Sequence, residues 1–341
     1  MICPRFWAVC SVMLSALSIC VACSVPASAA SPARARPRPD SMEYRLSWGV
    51  GASGADRAFR EGATGSGIVV AMIDTGVDAA SANLFSHLSP DSIDLIPDRR
   101  ADTGDRRHGV QTASLLAAQL DGEGTLGMAY DATLLSIRAD RDGSCLRTCA
   151  FDPDVLARAI DYAIDHGASV IGMPIASRRP IPAVEQGFDR AAASGVVIVA
   201  AAGNDGGDEP VWPARYAADP RFAASMIVAG ATTPGGGLAS WSNKAGMAQD
   251  RYVAAPGEHV LVDCGKKVCS FASGTSYSVA YAAGALALLR SRNPGLSGSQ
   301  AATALLLNTR DLAQRGADRV TGRGRLDVGR AMRAVDRMNK G

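Results

Sequence analysis

Beyond residue 44 two apolar patterns alternate along the chain. Short, nearly unbroken apolar runs rich in β-branched residues occur at 68–73 (IVVAMI), 133–137 (TLLSI), 169–173 (SVIGM), 196–201 (VVIVAA) and 226–231 (MIVAGA). Between them lie segments with apolar residues three and four apart. In 153–165, for example, Val155, Leu156, Ala159, Ile160, Ala163 and Ile164 fall on one helical face. Pro153 suits the first turn of that helix and Gly167 its stop. Strands apolar on both faces, alternating with helices, predict an α/β fold with a parallel sheet covered on both sides. In such sheets the chemistry collects at the carboxyl ends of the strands, so the residues after each run are where function is sought.

The first run ends in Asp74-Thr75-Gly76. An acid there can orient a histidine and stabilise its cationic form, although an aspartate after a strand usually caps a turn. Four histidines are available: His87, His108, His166 and His259. His108 opens an apolar, small-residue helix over 109–118, and Gly109 beside it is expected to leave room for a substrate. The fourth run ends in Gly203-Asn204-Asp205-Gly206. A side-chain amide between glycines can aim its NH2 at developing negative charge; the plainer reading is a turn asparagine. Ser273-Gly274-Thr275-Ser276 leads into a helix over 277–290. At that helix start the backbone N–H groups and the macrodipole favour an anion, while a serine there is also a common cap. A nucleophilic Ser276 needs a base, an orienting acid and an oxyanion donor. His108, Asp74 and Asn204 are the candidates. Gly65-Ser66-Gly67 precedes its strand instead of following it, which argues against a dinucleotide site.

The N-terminus differs from the rest. Arg5 precedes an apolar stretch over 6–23, and Ala27-Ser28-Ala29 follows as an A-x-A cleavage site. The expected organisation is a signal peptide at 1–29, a Pro/Arg-rich linker at 30–43, a catalytic domain at 44–336 and a short tail at 337–341. An uncleaved anchor and a lipid-modified Cys23 are the alternatives. No later segment has the length to span a bilayer. Cys3, Cys10, Cys20 and Cys23 leave with the signal, so Cys145, Cys149, Cys264 and Cys269 remain. Four cysteines allow three pairings. Short loop closure favours Cys145–Cys149 and Cys264–Cys269, and the spacings without nearby histidines argue against zinc. The expected location is the periplasm or the medium around a bacterium. Of the 341 residues 47% are hydrophobic, which excludes disorder for most of the chain. A formal net charge of +2 gives no reason to expect nucleic acid as a partner.

The order Asp, His, Asn, Ser, each in its own local text, resembles the subtilisin-like serine proteases (subtilases, peptidase family S8). The matching pieces are Ile73-Asp74-Thr75-Gly76-Val77-Asp78, His108-Gly109, Ala201-Ala202-Gly203-Asn204-Asp205-Gly206, Ala255-Pro256-Gly257 and Ser273-Gly274-Thr275-Ser276, with weaker echoes at Gly127-Met128-Ala129-Tyr130 and Gly324-Arg325-Leu326-Asp327-Val328. The resemblance covers 48–335. It implies a three-layer α/β/α fold with a mainly parallel sheet. It also implies peptide-bond hydrolysis through an acyl-enzyme on Ser276, with no cofactor in the chemistry, a peptide or protein as substrate and a monomeric state. His108 is then the general base and acid, Asp74 holds its tautomer, and Asn204 with the Ser276 N–H binds the oxyanion.

Several positions depart from the family. Val110 and Ser114 replace its Thr and Gly after the histidine, and Ser278 and Ala280 its Ala and Pro after the serine. A cleft segment usually Asn-Met-Ser-Leu-Gly-Gly reads Gly172-Met173-Pro174-Ile175-Ala176-Ser177. In the family, substrate adds as an extended strand beside that segment. The resemblance therefore places substrate contacts at Pro174, Ala176, Ala202 and Gly203, and the two replaced positions predict a narrower choice of peptides. Asp78 and Asn83 are calcium-ligand candidates by position, but the ligand set is incomplete and the metal question stays open. The segment 30–43 is too short for the family's common prodomain. The competing reading is a catalytically weak or silent subtilase fold that binds peptides.

Overall fold

The computed structural model of the protein describes residues 36–78, 81, 84–99, 107–146, 149–264 and 269–338. The expected signal peptide, residues 30–35 of the linker and Asn83 lie outside the described residues.

Seven parallel strands form the central sheet. They are β1 (Val69–Asp74), β2 (Ile93–Asp94), β3 (Thr133–Arg138), β4 (Val170–Met173), β5 (Val197–Ala201), β6 (Met226–Thr232) and β7 (Tyr252–Pro256), in the spatial order β2-β3-β1-β4-β5-β6-β7. A separate antiparallel hairpin pairs β8 (Val260–Cys264) with β9 (Cys269–Ala272). The helices are α1 (Met42–Leu46), α2 (Trp48–Ala52), α3 (Asp56–Arg60), α4 (Arg107–Ala117), α5 (Pro153–Asp165), α6 (Glu185–Ala193), α7 (Pro220–Ala223), α8 (Thr275–Arg292), α9 (Gly298–Leu307) and α10 (Val328–Met338). The first helix starts at Met42 and buries Glu43.

The period of two along each strand divides the core. Val70 and Met72 of β1, Val197 and Val199 of β5 and Val253 of β7 pack with α4, α8, α9 and α10 on one face. Their neighbours Ala71, Ile73, Ile198, Ala200 and Ala254 pack with α5 and α6 on the other. This is the three-layer α/β/α arrangement expected from strands apolar on both sides. α8 is buried around its whole circumference over most of its length, as a helix apolar on every side must be. It crosses behind the sheet and delivers its first turn to the strand ends. Strand order departs from β1 in both directions, to β3 on one side and β4 on the other. That makes the crevice beyond β1 and β4 the switch point where a site is favoured.

Beside β1, the buried Arg138 of β3 donates to Asp140 at 2.8 Å, and Arg99 reaches both Asp94 (2.7 Å) and Asp140 (3.2 Å). Four mutually paired charges thus avoid the cost of isolated burial. The sulfurs of Cys145 and Cys149 are in contact, with Cα atoms 4.0 Å apart. Cys264 and Cys269 are register partners across the hairpin.

Candidate active site

Asp74, the last residue of β1, is buried. Its carboxylate receives several donors. Thr75 N–H donates to Oδ1 at 2.7 Å and Thr112 Oγ1 donates to Oδ2 at 2.7 Å. His108 Nδ1 lies 2.8 Å from Oδ1 and 2.9 Å from Oδ2. A carboxylate only accepts, so His108 carries a proton on Nδ1. His108 stands in the first turn of α4, with its side chain 35% exposed, so the ring is reachable from the cleft.

Gly109 has a different reason from the one expected. Its N–H donates to Thr75 Oγ1 at 2.9 Å, and a Cβ there would overlap the carbonyl oxygen of Gly76 and lie 2.6 Å from its nitrogen. The glycine is needed for the close approach of α4 to the turn after β1. It makes room for the backbone and not for a substrate.

Ser276 is the second residue of α8 and half-buried. Its N–H belongs to the first turn, which has no intrahelical acceptor. Its hydroxyl donates to the Pro174 carbonyl at 3.3 Å, which brings the segment after β4 against the helix start. Asn204 follows β5 and is exposed. Its Oδ1 accepts from both the N–H and the hydroxyl of Thr275, each at 2.9 Å. Two donors on that atom identify it as the oxygen, so the NH2 is the end left for a ligand. Thr275 is fully buried, and its hydroxyl oxygen also accepts from Gly203 N–H at 3.2 Å.

The loop after β5 is held by Asn243. Its Oδ1 accepts from Asp205 N–H (2.9 Å) and Gly207 N–H (3.0 Å), and its Nδ2 donates to the Glu209 carbonyl (3.1 Å). Gly203 adopts φ 110°, where a Cβ would fall 2.6 Å from Asn243 Nδ2. Thr112, Thr275 and Asn243 were not singled out in the sequence, where each reads as an ordinary polar position.

The expected substrate contacts divide. Pro174 reaches Ser276, and Ala176 is exposed. Ala202 does not face the cleft. Its methyl is in the core, its N–H donates to Ala229 O (3.0 Å) and its carbonyl accepts from Val211 N–H (2.8 Å). Gly203 is likewise committed, with its N–H on Thr275 and its carbonyl accepting from Asn243 N–H at 2.9 Å. Their conformation serves the fold. The other described histidines lie elsewhere: His87 is exposed and its carbonyl accepts from Leu134 N–H at 2.9 Å, His166 caps α5 and stacks on Tyr162, and His259 N–H donates to Ser273 Oγ. Asp78 caps its own turn by accepting from Ser81 N–H at 2.7 Å. No group of three or more metal-binding side chains gathers among the described residues.

The profile of the subtilase family, Peptidase_S8, matches residues 65–324. The chain belongs to the subtilase family. An alkaline protease of Alkalihalobacillus alcalophilus is 30% identical to this subtilase over 264 residues, covering 76% of this chain and 63% of that protein. The chain thus spans under two thirds of that relative's length. Subtilisin BL of Lederbergia lenta is 30% identical over 257 residues, covering 74% of this subtilase and 87% of the relative. The protease domain of PatA, solved as a mutant, superposes with a TM-score of 0.69 at 24% identity, covering 81% of this chain and 98% of that one. That likeness supports the fold.

Proposed function

We propose that this subtilase is an exported serine endopeptidase that cleaves peptide bonds through an acyl-enzyme. Ser276 attacks the scissile carbonyl. His108 takes the Ser276 proton at Nε2 and returns it to the leaving amine. Asp74 fixes the tautomer and stabilises the imidazolium. The oxyanion is received by the Asn204 NH2 and the Ser276 N–H. The observation that carries the reading is the Asp74–His108 contact, with both carboxylate oxygens within 2.9 Å of Nδ1. An acid with no base to orient has no need of that geometry. The relatives named as proteases support the same activity, and the A-x-A text after the 6–23 apolar stretch supports export. No described helix is long and apolar enough to cross a membrane.

A fluorophosphonate probe tests the assignment. It is expected to label Ser276 in the wild type and not in Ser276→Ala, and casein cleavage is expected to vanish with that substitution. A wild type that neither labels nor cleaves would instead favour the peptide-binding reading, to which the altered segment at Pro174 and Ala176 lends weight.

We also assign disulfides to Cys145–Cys149 and Cys264–Cys269. The first is supported by the sulfur contact and the second by the register of the hairpin. The short loops put each at the low end of the usual range of about 2–4 kcal/mol. Unreduced peptide mapping of exported protein is expected to find both pairs; four alkylated free thiols would exclude them.

A further inference from the structure

This inference rests on the serine-protease reading above. The reaction needs the base on α4 and the nucleophile on α8 at a fixed separation, yet the described bonds of the α4 start tie it to β1. Gly109 N–H donates to Thr75 and Thr112 Oγ1 to Asp74. Neither bond reaches α8, against which the apolar side chains of α4 pack in the shared core.

Tyr277, the residue after Ser276, adds a directional bond between the two helix starts. The residue is 6% exposed, and its ring lies 6.1 Å from the His108 ring at an interplanar angle of 37°. Its N–H donates to the Gly274 carbonyl at 3.1 Å, which fixes it in the first turn of α8. Its hydroxyl donates to Gln111 Oε1 at 2.8 Å. Gln111 is three residues beyond His108, on the same face of α4.

We infer that Tyr277 and Gln111 form a brace that sets the spacing between the helix carrying His108 and the helix carrying Ser276. Both are positioning residues. The phenol keeps its proton at neutral pH, because burial and, second, the Asp74 charge push it up to about 12. The brace therefore does not titrate with the base it positions. Reaction rates are steep functions of such spacing, and a misplacement of about 1 Å can cost on the order of 10²-fold. The slack left by one lost hydrogen bond is smaller, because the ring stays packed.

The test compares Tyr277→Phe, Gln111→Met and the double variant by the kinetics of fluorophosphonate labelling at Ser276. The expected result is a fall of about tenfold in the maximal labelling rate for each single variant, with the concentration for half-maximal rate unchanged. The double variant is expected to match either single one, since each removes the same bond. Thermal midpoints are expected within about 2 °C of wild type, because the ring and the stem are kept. An unchanged rate in Tyr277→Phe, factors that multiply in the double variant, or a lowered midpoint with an intact rate would each overturn the brace. Absence of labelling in the wild type is a different result: it removes the protease reading and the brace with it.

Discussion

A histidine can take a proton at Nε2 only while its other nitrogen is held with a proton in place. Here the holder is itself held, because Thr75 and Thr112 occupy positions around Asp74 and leave its two oxygens turned to His108. The amide of Asn204 follows the same logic, with Thr275 fixing which end faces the ligand. Asn204→Leu is expected to lower kcat by about 10²–10³ with KM little changed, because the Ser276 N–H remains as the second donor. Thr275→Val removes the hydroxyl that bonds both Asn204 and Gly203. About tenfold in kcat is expected, equivalent to roughly one net hydrogen bond. The pair together should be no slower than Asn204→Leu, because the threonine hydroxyl acts through the amide. Initial rates of casein hydrolysis decide it, and a wild-type rate for Asn204→Leu would remove the oxyanion role. Asp74, His108, Asn204 and Ser276 were legible because each ends a strand or opens a helix in recognisable text. Thr112 and Thr275 were not, because their partners are 38 and 71 residues away in the chain. A buried threonine bonding across such a distance leaves no local signal.

At the scale of elements, the β-branched runs located five of the seven sheet strands within about two residues, the margin usual for boundaries. Burial on both faces is what makes such runs continuous. β2 has two residues and β7 five, ending in Pro256, so neither builds a run. Pro256 is tolerated there because β7 lies at the sheet edge. α10 buries Val328, Ala331, Met332 and Val335 at helical spacing, a signal weakened by the arginines between them. The segment after β4 carries the element-scale prediction. β4 ends at Met173, so Pro174 costs the sheet no ladder bond; under the proposed function its missing N–H is one donor fewer for a substrate strand. Ala176, exposed where the family usually has glycine, adds a methyl to the same edge. Each change should cost a substrate strand on the order of 1 kcal/mol, so unselected sequences should be cut roughly tenfold or more slowly. Pro174→Ser/Ala176→Gly is expected to broaden and speed casein digestion, read by mapping the cleavage sites. Fast, indiscriminate digestion by the wild type, unchanged in the double variant, would refute the narrowed cleft.

The whole molecule hangs on α8, and its burial sets a limit on alkaline stability. Tyr281 of α8 and Tyr252 of β7 are fully buried, and burial raises both phenols far above the ordinary value. Tyr277 and Tyr216 are pushed up to about 12, in each case mainly by burial. Folding therefore favours the protonated phenol in all four. A group raised in the folded state gives stability that is complete below its unfolded value, about 10 for tyrosine. That stability is lost as pH climbs from there through the folded values. The thermal midpoint should hold level to about pH 9.5 and fall steeply above about pH 10.5. Two other groups share this window: burial and, second, its bond to Asp56 raise the Tyr44 phenol as well, and burial lowers Arg251 to about 10. The lysines are few, with Lys244, Lys266, Lys267 and Lys340 the only ones in the chain. Tyr281 separates the tyrosine contribution from the rest, because its hydroxyl finds no hydrogen-bond partner among the described residues while Tyr252 donates to the Asn243 carbonyl at 2.8 Å. Tyr281→Phe keeps the ring against Gly49 and removes only a buried, unpaired polar atom. It should leave the midpoint at pH 7 unchanged or raise it by about 1–2 °C. It should also make the alkaline fall shallower by one proton's share, read from urea unfolding between pH 8 and 11.5. A midpoint that stays level through pH 11.5, or a Tyr281→Phe variant with the wild-type slope, would show that the buried phenols do not set the alkaline limit.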